Sequence, residues 1–258
     1  MEPDERLLHG SSSGAGPAAY AADRPVYAQA AVRWAVEAAP GLRVLDLGAG
    51  DGALSASLVA AGADVVAVEP DQAMVAQLGG AMPGVRALLG SAEAIPLPDA
   101  SVDAVLAGDA MHWFEMAAAG PEMARVLVPG GVLAGLWNVM DDRVAWVAGL
   151  ARVSGSAAIG PRDTLGNWRA ATAGMHVPRS GVTRFGSPEQ AEFVHGRRRT
   201  ADSLVAAIAT RAGMLVMPRE EQSATLERIR GFLASRPETS RGEFVIPALT
   251  GVLRVRRL

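Results

Sequence analysis

The stretch Val44-Leu45-Asp46-Leu47-Gly48-Ala49-Gly50-Asp51-Gly52 decides the fold, together with Val65-Val66-Ala67-Val68-Glu69 a short way downstream. A run of branched apolar residues reads as a buried strand. It delivers a loop with almost no side chains, so backbone N–H groups can approach a ligand where a Cβ would collide. The helix expected from Gly52 points its positive end at that loop. Glu69 closes the next strand, where a carboxylate can accept hydrogen bonds from both hydroxyls of a ribose. The two halves together predict a site for a nucleoside-type cofactor.

Outward from this stretch, the pattern alternates. It predicts a helix over 26–37, a strand over 43–47, a helix over 52–61, a strand over 64–69 and a helix over 71–79. Strands over 84–89 and 102–107, a helix over 113–127 and a strand over 131–138 follow. Near-continuous apolar strands separated by helices imply a parallel sheet covered on both faces, hence a doubly wound α/β fold. Beyond Asn138 the regularity weakens. A helix is expected over 144–153, an irregular Gly-, Arg- and Pro-containing stretch to about 188 and a strand over 191–196. Helices over 201–212 and 219–235 and a closing strand over 243–255 complete the chain. The expected organisation is one domain over 1–258. It comprises an N-terminal flap and helix (1–40), a cofactor-binding core (41–138), and a lid with helices and the last strands (139–258).

Half of the 258 residues are apolar, enough for a substantial core. The formal charge is -3 and no long block of like charges occurs, so no nucleic-acid footprint or polybasic membrane surface is evident. Small-molecule partners are the expectation, with a monomer or homodimer. The 24 basic residues are all arginine. Without cysteine there are no disulfides, no thiolate catalysis and no Cys-type zinc site, and no metal is called for. The acidic start and the lack of a long apolar run predict a cytoplasmic, soluble protein.

Further segments carry a resemblance: Gly90-Ser91-Ala92-Glu93-Ala94-Ile95-Pro96-Leu97-Pro98, Ser101-Val102-Asp103, Met111-His112-Trp113-Phe114 and Arg125-Val126-Leu127-Val128-Pro129-Gly130-Gly131. With the glycine loop, Asp46 and Glu69, they resemble the class I S-adenosylmethionine-dependent methyltransferases. More narrowly, they are similar to the type 11 group that includes trans-aconitate methyltransferase-like proteins. Tyr20, Arg24-Pro25 and Tyr27 match a lead-in of that group, and residues 244–257 its closing strand. The resemblance implies a mostly parallel seven-stranded Rossmann-like sheet with helical lid elements, S-adenosyl-L-methionine as cofactor and S-adenosyl-L-homocysteine as product. It implies methyl transfer to a small molecule, with oxygen favoured over nitrogen or carbon.

Carried over, Gly48, Ala49 and Gly50 face the methionine part of the cofactor, with Asp46 ordering the loop or attracting the amino group. Glu69, followed by Pro70, holds the ribose, and Ser91-Ala92-Glu93 border the adenine. Gly108 ends the next strand on the cofactor side. Tyr20 lies over the sulfonium or else hinges the flap. Ser91 stands where relatives often carry Asp, and Asp109-Ala110 where they carry Gln-Ala. His112 is the candidate acid/base group at the carboxyl end of a strand; the alternative is a helix-start histidine packed on the cofactor. Trp113, Trp137 and Asn138 are candidate substrate contacts, Trp113 and Phe114 being equally readable as core.

Arg197-Arg198-Arg199 reads as a solvated strand end in preference to a carboxylate site. His9, His176 and His195 form no ligand spacing and read as surface or structural. Asp141-Asp142 lacks a further ligand for a cation. Two rival functions share the fold. A nicotinamide-dependent oxidoreductase would use the loose Gly48-x-Gly50-x-x-Ala53 fingerprint, but the Tyr-x-x-x-Lys pair cannot exist without lysine. A methyltransferase-like cyclase or binding module would hold the cofactor without transfer.

Overall fold

The computed structural model describes residues 27–172 and 185–258. The chain runs α1 (Gln29–Val36), β1 (Arg43–Leu47), α2 (Ala53–Ala60), β2 (Asp64–Glu69), α3 (Gln72–Ala81), β3 (Arg86–Leu89) and β4 (Val102–Gly108). A 3-10 turn at Met111–Trp113 precedes α4 (Met116–Val126), β5 (Leu127–Met140), α5 (Ala145–Ser154), a second 3-10 turn at Pro161–Asp163 and α6 (Trp168–Thr172). Then come β6 (Glu189–Arg199), α7 (Ala201–Ala209), α8 (Ala212–Leu215), α9 (Arg219–Ala234) and β7 (Phe244–Arg256).

The strands form one seven-stranded sheet in the order β3-β2-β1-β4-β5-β7-β6. β1 pairs in parallel with β2 and β4, β2 with β3, and β4 with β5. β7 runs the other way. Gly130 N–H donates to the Arg257 carbonyl at one end and Asp141 N–H to the Pro247 carbonyl at the other, so partner numbers fall as the chain rises. The same reversal relates β7 to β6, where Gly186 N–H donates to Arg256 O and Gly196 lies against Val245. β6 is therefore parallel to β5. The sheet is mixed and mostly parallel, as the sequence predicts. Its order reverses between β1 and β4, so the loops after these two strands flank the crevice at the switch point where ligands of such sheets bind.

Contacts divide the described chain into two compact units. One holds residues 27–137, 172 with 185–193, and 250–258; the other holds 138–171 and 194–249. In the first, alternate strand residues feed two apolar layers. Val44, Val65, Ala104 and Val132 pack with Val32, Leu58 and Leu78 on one face, while Leu45, Val105 and Leu133 pack with Met123 and Val126 on the other. Burial on both faces is why these strands read as continuous apolar runs. Arg254 fastens α1 within this unit. Its guanidinium stacks 3.7 Å from the Trp34 ring centroid, donates to the Trp34 carbonyl and pairs with Glu37 and Glu189. In the second unit, Trp146, Leu150, Val205, Ile208, Ile229 and Leu233 build a separate core, with Phe244 edge-on to Trp146.

Four expectations are corrected. The helix read over 113–127 is the Met111–Trp113 turn followed by α4, because Phe114 and Glu115 adopt extended backbone. The strand read from 131 begins at Leu127, and Pro129-Gly130-Gly131 form an irregularity inside it: Val102 pairs with Leu127 but Ala104 with Val132. Turn residues there serve as a bulge. The helix over 201–212 breaks at Thr210 and resumes as α8, since Arg211 turns extended and its guanidinium binds Asp163 and the Ala158 carbonyl. The stretch read as irregular contains α6.

Candidate active site

The glycine loop hangs from the end of β2. Gly48 and Ala49 N–H both donate to the Val68 carbonyl, at 2.9 and 3.2 Å. Gly48, Gly50 and Gly52 have φ of 71°, 57° and 87°, in the left-handed region where a Cβ is strained. Gly48 also has no room: a Cβ there would stand 2.8 Å from that of Ala110 and 3.4 Å from the Phe114 ring. Ala49 and Gly50 are buried.

Both predicted carboxylates are buried here, and each ties the loop down. Asp46 is fully buried, its Oδ2 accepting from Ser55 Oγ at 2.6 Å, which fixes the start of α2 against the end of β1. Glu69 is 8% exposed; Oε2 accepts the Gly50 N–H at 2.9 Å and Oε1 the Asp71 N–H at 3.2 Å. Pro70 beside it is exposed. The acid at the end of β2 thus braces the loop.

The Ser91–Glu93 segment is a tight turn closed by a bridge from Ser91 to Ala94, with Ala92 buried. Glu93 Oε1 accepts the Glu115 N–H at 2.9 Å, joining this turn to the start of α4. The next residues are stapled to α4. Arg125 donates to the Ile95 and Leu97 carbonyls and to Asp99 and Glu122, and Glu122 accepts the Ile95 N–H. That fork holds the Glu122 carboxyl below its ordinary range.

Opposite, the end of β4 carries Gly108, which a Cβ would press into the Tyr27 ring and Leu54. Asp109 follows with φ 50°, a left-handed conformation for a residue bearing a side chain. Tyr27 donates its hydroxyl to Asp109 Oδ2 at 3.1 Å. His112 and Trp113 are half-buried in the 3-10 turn, their rings 4.7 Å apart, and Met111 beneath them is buried. The structure thus gathers Asp46, Gly48, Ala49, Gly50, Glu69, Ser91, Ala92, Glu93, Gly108, His112 and Trp113 at the carboxyl ends of β1 to β4 and on the loops that follow them. Trp137 lies inside the core at 1% exposure, over Gly135. Asn138 belongs to the other unit and meets His195. Tyr20, Arg24-Pro25, His9 and His176 lie outside the described residues.

The comparisons with known proteins agree with this geometry. A family model described as a methyltransferase domain matches residues 45–135. An uncharacterized methyltransferase of Mycobacterium tuberculosis is 39% identical over 252 residues, covering 97% of this chain and 96% of that protein. The chain is a class I S-adenosylmethionine-dependent methyltransferase. A second uncharacterized methyltransferase, of Schizosaccharomyces pombe, is 43% identical to this enzyme over 105 residues, 40% of the chain and 42% of that protein. A solved structure described as a type II methyltransferase from Anaeromyxobacter dehalogenans superposes with a TM-score of 0.58 at 27% identity, covering 91% of this chain and 97% of that one.

Three contributors to the methyltransferase site escaped the sequence reading of roles. Ser55 has no motif to mark it as the partner of Asp46. Ala110 limits Gly48 only once β1 and β4 are neighbours. Tyr27 was visible as a lead-in residue, but its bond to Asp109 spans 82 positions. Among the described residues no group of three or more His, Asp or Glu could hold a metal ion, and no helix is long and apolar enough to cross a membrane.

Proposed function

We propose that this methyltransferase acts on a small acceptor, transferring a methyl group to oxygen. The cofactor of its family, S-adenosyl-L-methionine, supplies an electrophilic methyl on a sulfonium. The residues fit it: left-handed glycines keep side chains off the loop so that a ligand can approach its backbone, and the buried Glu69 carboxylate has lone pairs to accept further hydrogen bonds from a ribose. Gly48, Ala49 and Gly50 would hold the amino-acid end, Glu69 the ribose, and Ser91, Ala92 and Glu93 the adenine.

In-line displacement needs an acceptor atom about 3 Å from the methyl carbon in a site that excludes water, and orientation supplies several kcal/mol of the barrier. Trp113 and Phe114, half-buried beside the loop, are suited to excluding water. His112 is suited to take the proton an alcohol or phenol sheds as its oxygen gains the methyl group. The observation that carries this reading is the histidine-tryptophan turn directly after β4, beside the switch-point crevice. The absence of a strongly basic balance, with net charge -3, supports small acceptors over nucleic acid.

The test is a screen of alcohols, phenols and carboxylic acids, with small amines, a peptide and an oligonucleotide as comparison arms, reading S-adenosyl-L-homocysteine release. Turnover confined to hydroxyl or carboxyl compounds supports the proposal. Turnover on amines or macromolecules alone refutes it.

A further inference from the structure

Two loops that border the site are joined by one side chain. Glu93 sits in the turn after β3, and its Oε1 accepts the N–H of Glu115, 22 residues on, at 2.9 Å. β3 and β4 are not neighbours, since β2 and β1 lie between them. The chain from β3 to β4 therefore crosses the sheet, on the face where Ile95 and Leu97 pack with Met123 and Val126 of α4. That crossing brings Glu93 to the start of α4.

Glu115 is the residue from which α4 springs, and its own side chain makes no cap hydrogen bond. In a capping box the N–H of such a residue is taken by a Glu or Gln at the third helical position. Ala118 stands at that position and has no acceptor to give. Glu93 supplies the carboxylate instead, from another loop, at the end of the helix that favours negative charge. The turn just before α4 shares in this contact. Met111–Trp113 leads through Phe114 to Glu115, and Ala110 and the Phe114 ring lie against Gly48. The stretch that carries His112 and Trp113 is thus held by the glycine loop at one end and by Glu93 at the other.

A carboxylate has two oxygens and about four lone pairs, so it can accept from Glu115 and from the exocyclic amine of an adenine at once. Fixing a glutamate side chain costs rotamer freedom, and that cost falls once however many partners share the fixed conformer. The second partner therefore binds more easily than the first, which is positive coupling without a large movement. We propose that Glu93 is a positioning residue that couples the adenine side of the site to the His112–Trp113 turn, each fixing the carboxylate for the other. This rests on the reading that Ser91, Ala92 and Glu93 border the adenine, and adds to it a second partner on the acceptor side.

Coupling is reciprocal, so deleting the Glu115 donor must weaken the cofactor ligand. Glu115→Pro deletes that N–H without strain, because Glu115 has φ -78° and Phe114 before it is already extended. Calorimetric titration with S-adenosyl-L-homocysteine is expected to show binding weakened by at least about fivefold in Glu115→Pro, the lower end of coupling between two sites. Glu115→Ala keeps the N–H and should bind as the wild type does. Glu93→Met should weaken the ligand too, and adding Glu115→Pro to it should weaken the ligand no further. Hydrogen exchange gives a second reading should Glu115→Pro fold poorly. Saturating S-adenosyl-L-homocysteine should slow the amides of 111–117 by a similar factor in the wild type and not in Glu93→Met. A merely structural cap would lower the melting temperature of these variants and leave both readings alone. If Glu115→Pro binds as Glu115→Ala does, or the wild-type 111–117 amides ignore the ligand, the inference is overturned with the cofactor assignment intact. Wild-type affinity in Glu93→Met would overturn the adenine reading along with it. Failure of S-adenosyl-L-homocysteine to bind the wild type would remove the cofactor assignment itself.

Discussion

Asp109 adopts a backbone conformation that costs an ordinary residue about 1–2 kcal/mol, and the Tyr27 hydroxyl grips its carboxylate. Such strain persists only where the surroundings enforce it. Tyr27→Phe should therefore destabilise the protein by about 1 kcal/mol in urea unfolding, the worth of one hydrogen bond. Gly50 has φ 57° in a buried loop, so Gly50→Val should abolish S-adenosyl-L-homocysteine binding while circular dichroism stays native. Wild-type affinity in that variant would contradict the loop's role. On the proposed reading His112 serves the acceptor and not the cofactor. His112→Ala should leave cofactor affinity nearly unchanged and lower turnover on a hydroxyl acceptor by about a hundredfold or more, as loss of a general base does. Undiminished turnover would make the residue a packing element.

At the scale of elements, the sheet was legible because buried parallel strands announce themselves as apolar runs: 43–47 and 64–69 have the expected bounds. Elements defined by local backbone exceptions were not. Pro129-Gly130-Gly131 has turn chemistry, yet register with β4 turns it into a bulge within β5. The cofactor half of the site was readable for the same reason as the sheet, since its residues follow strand ends. The three arginines at the end of β6 read alike as a solvated strand end, whereas the pleat leaves Arg198 exposed and half-buries Arg197. The Arg125 staple belongs here too. Glu122 and Asp103 are both held below the usual carboxylate range, by Arg125 and Arg43 respectively. Carboxyls depressed in the folded state stabilise it above their unfolded values of about 4 and lose that contribution as pH falls through the folded values. Stability should therefore drop on acidification below about pH 4. Glu122→Gln should flatten that acid limb in melts recorded across pH; an unchanged slope would show that the fork contributes nothing.

For the whole molecule, a ligand that binds only the folded chain adds RT ln(1 + [L]/Kd), about 2.7 kcal/mol at a hundredfold excess over Kd. At this chain length that is worth roughly 5–10 °C in melting temperature. S-adenosyl-L-homocysteine should produce such a shift and NADH none. One small contact sets how that binding proceeds. Glu69 grips the Gly50 and Asp71 amides through protein contacts alone, which should leave the cofactor little conformational freedom to quench. In the currency of hydrogen exchange, the Gly50 amide should already be slow in the empty protein and slow only modestly further on binding. Recognition here resembles a key entering a cut lock more than a hand closing on a coin.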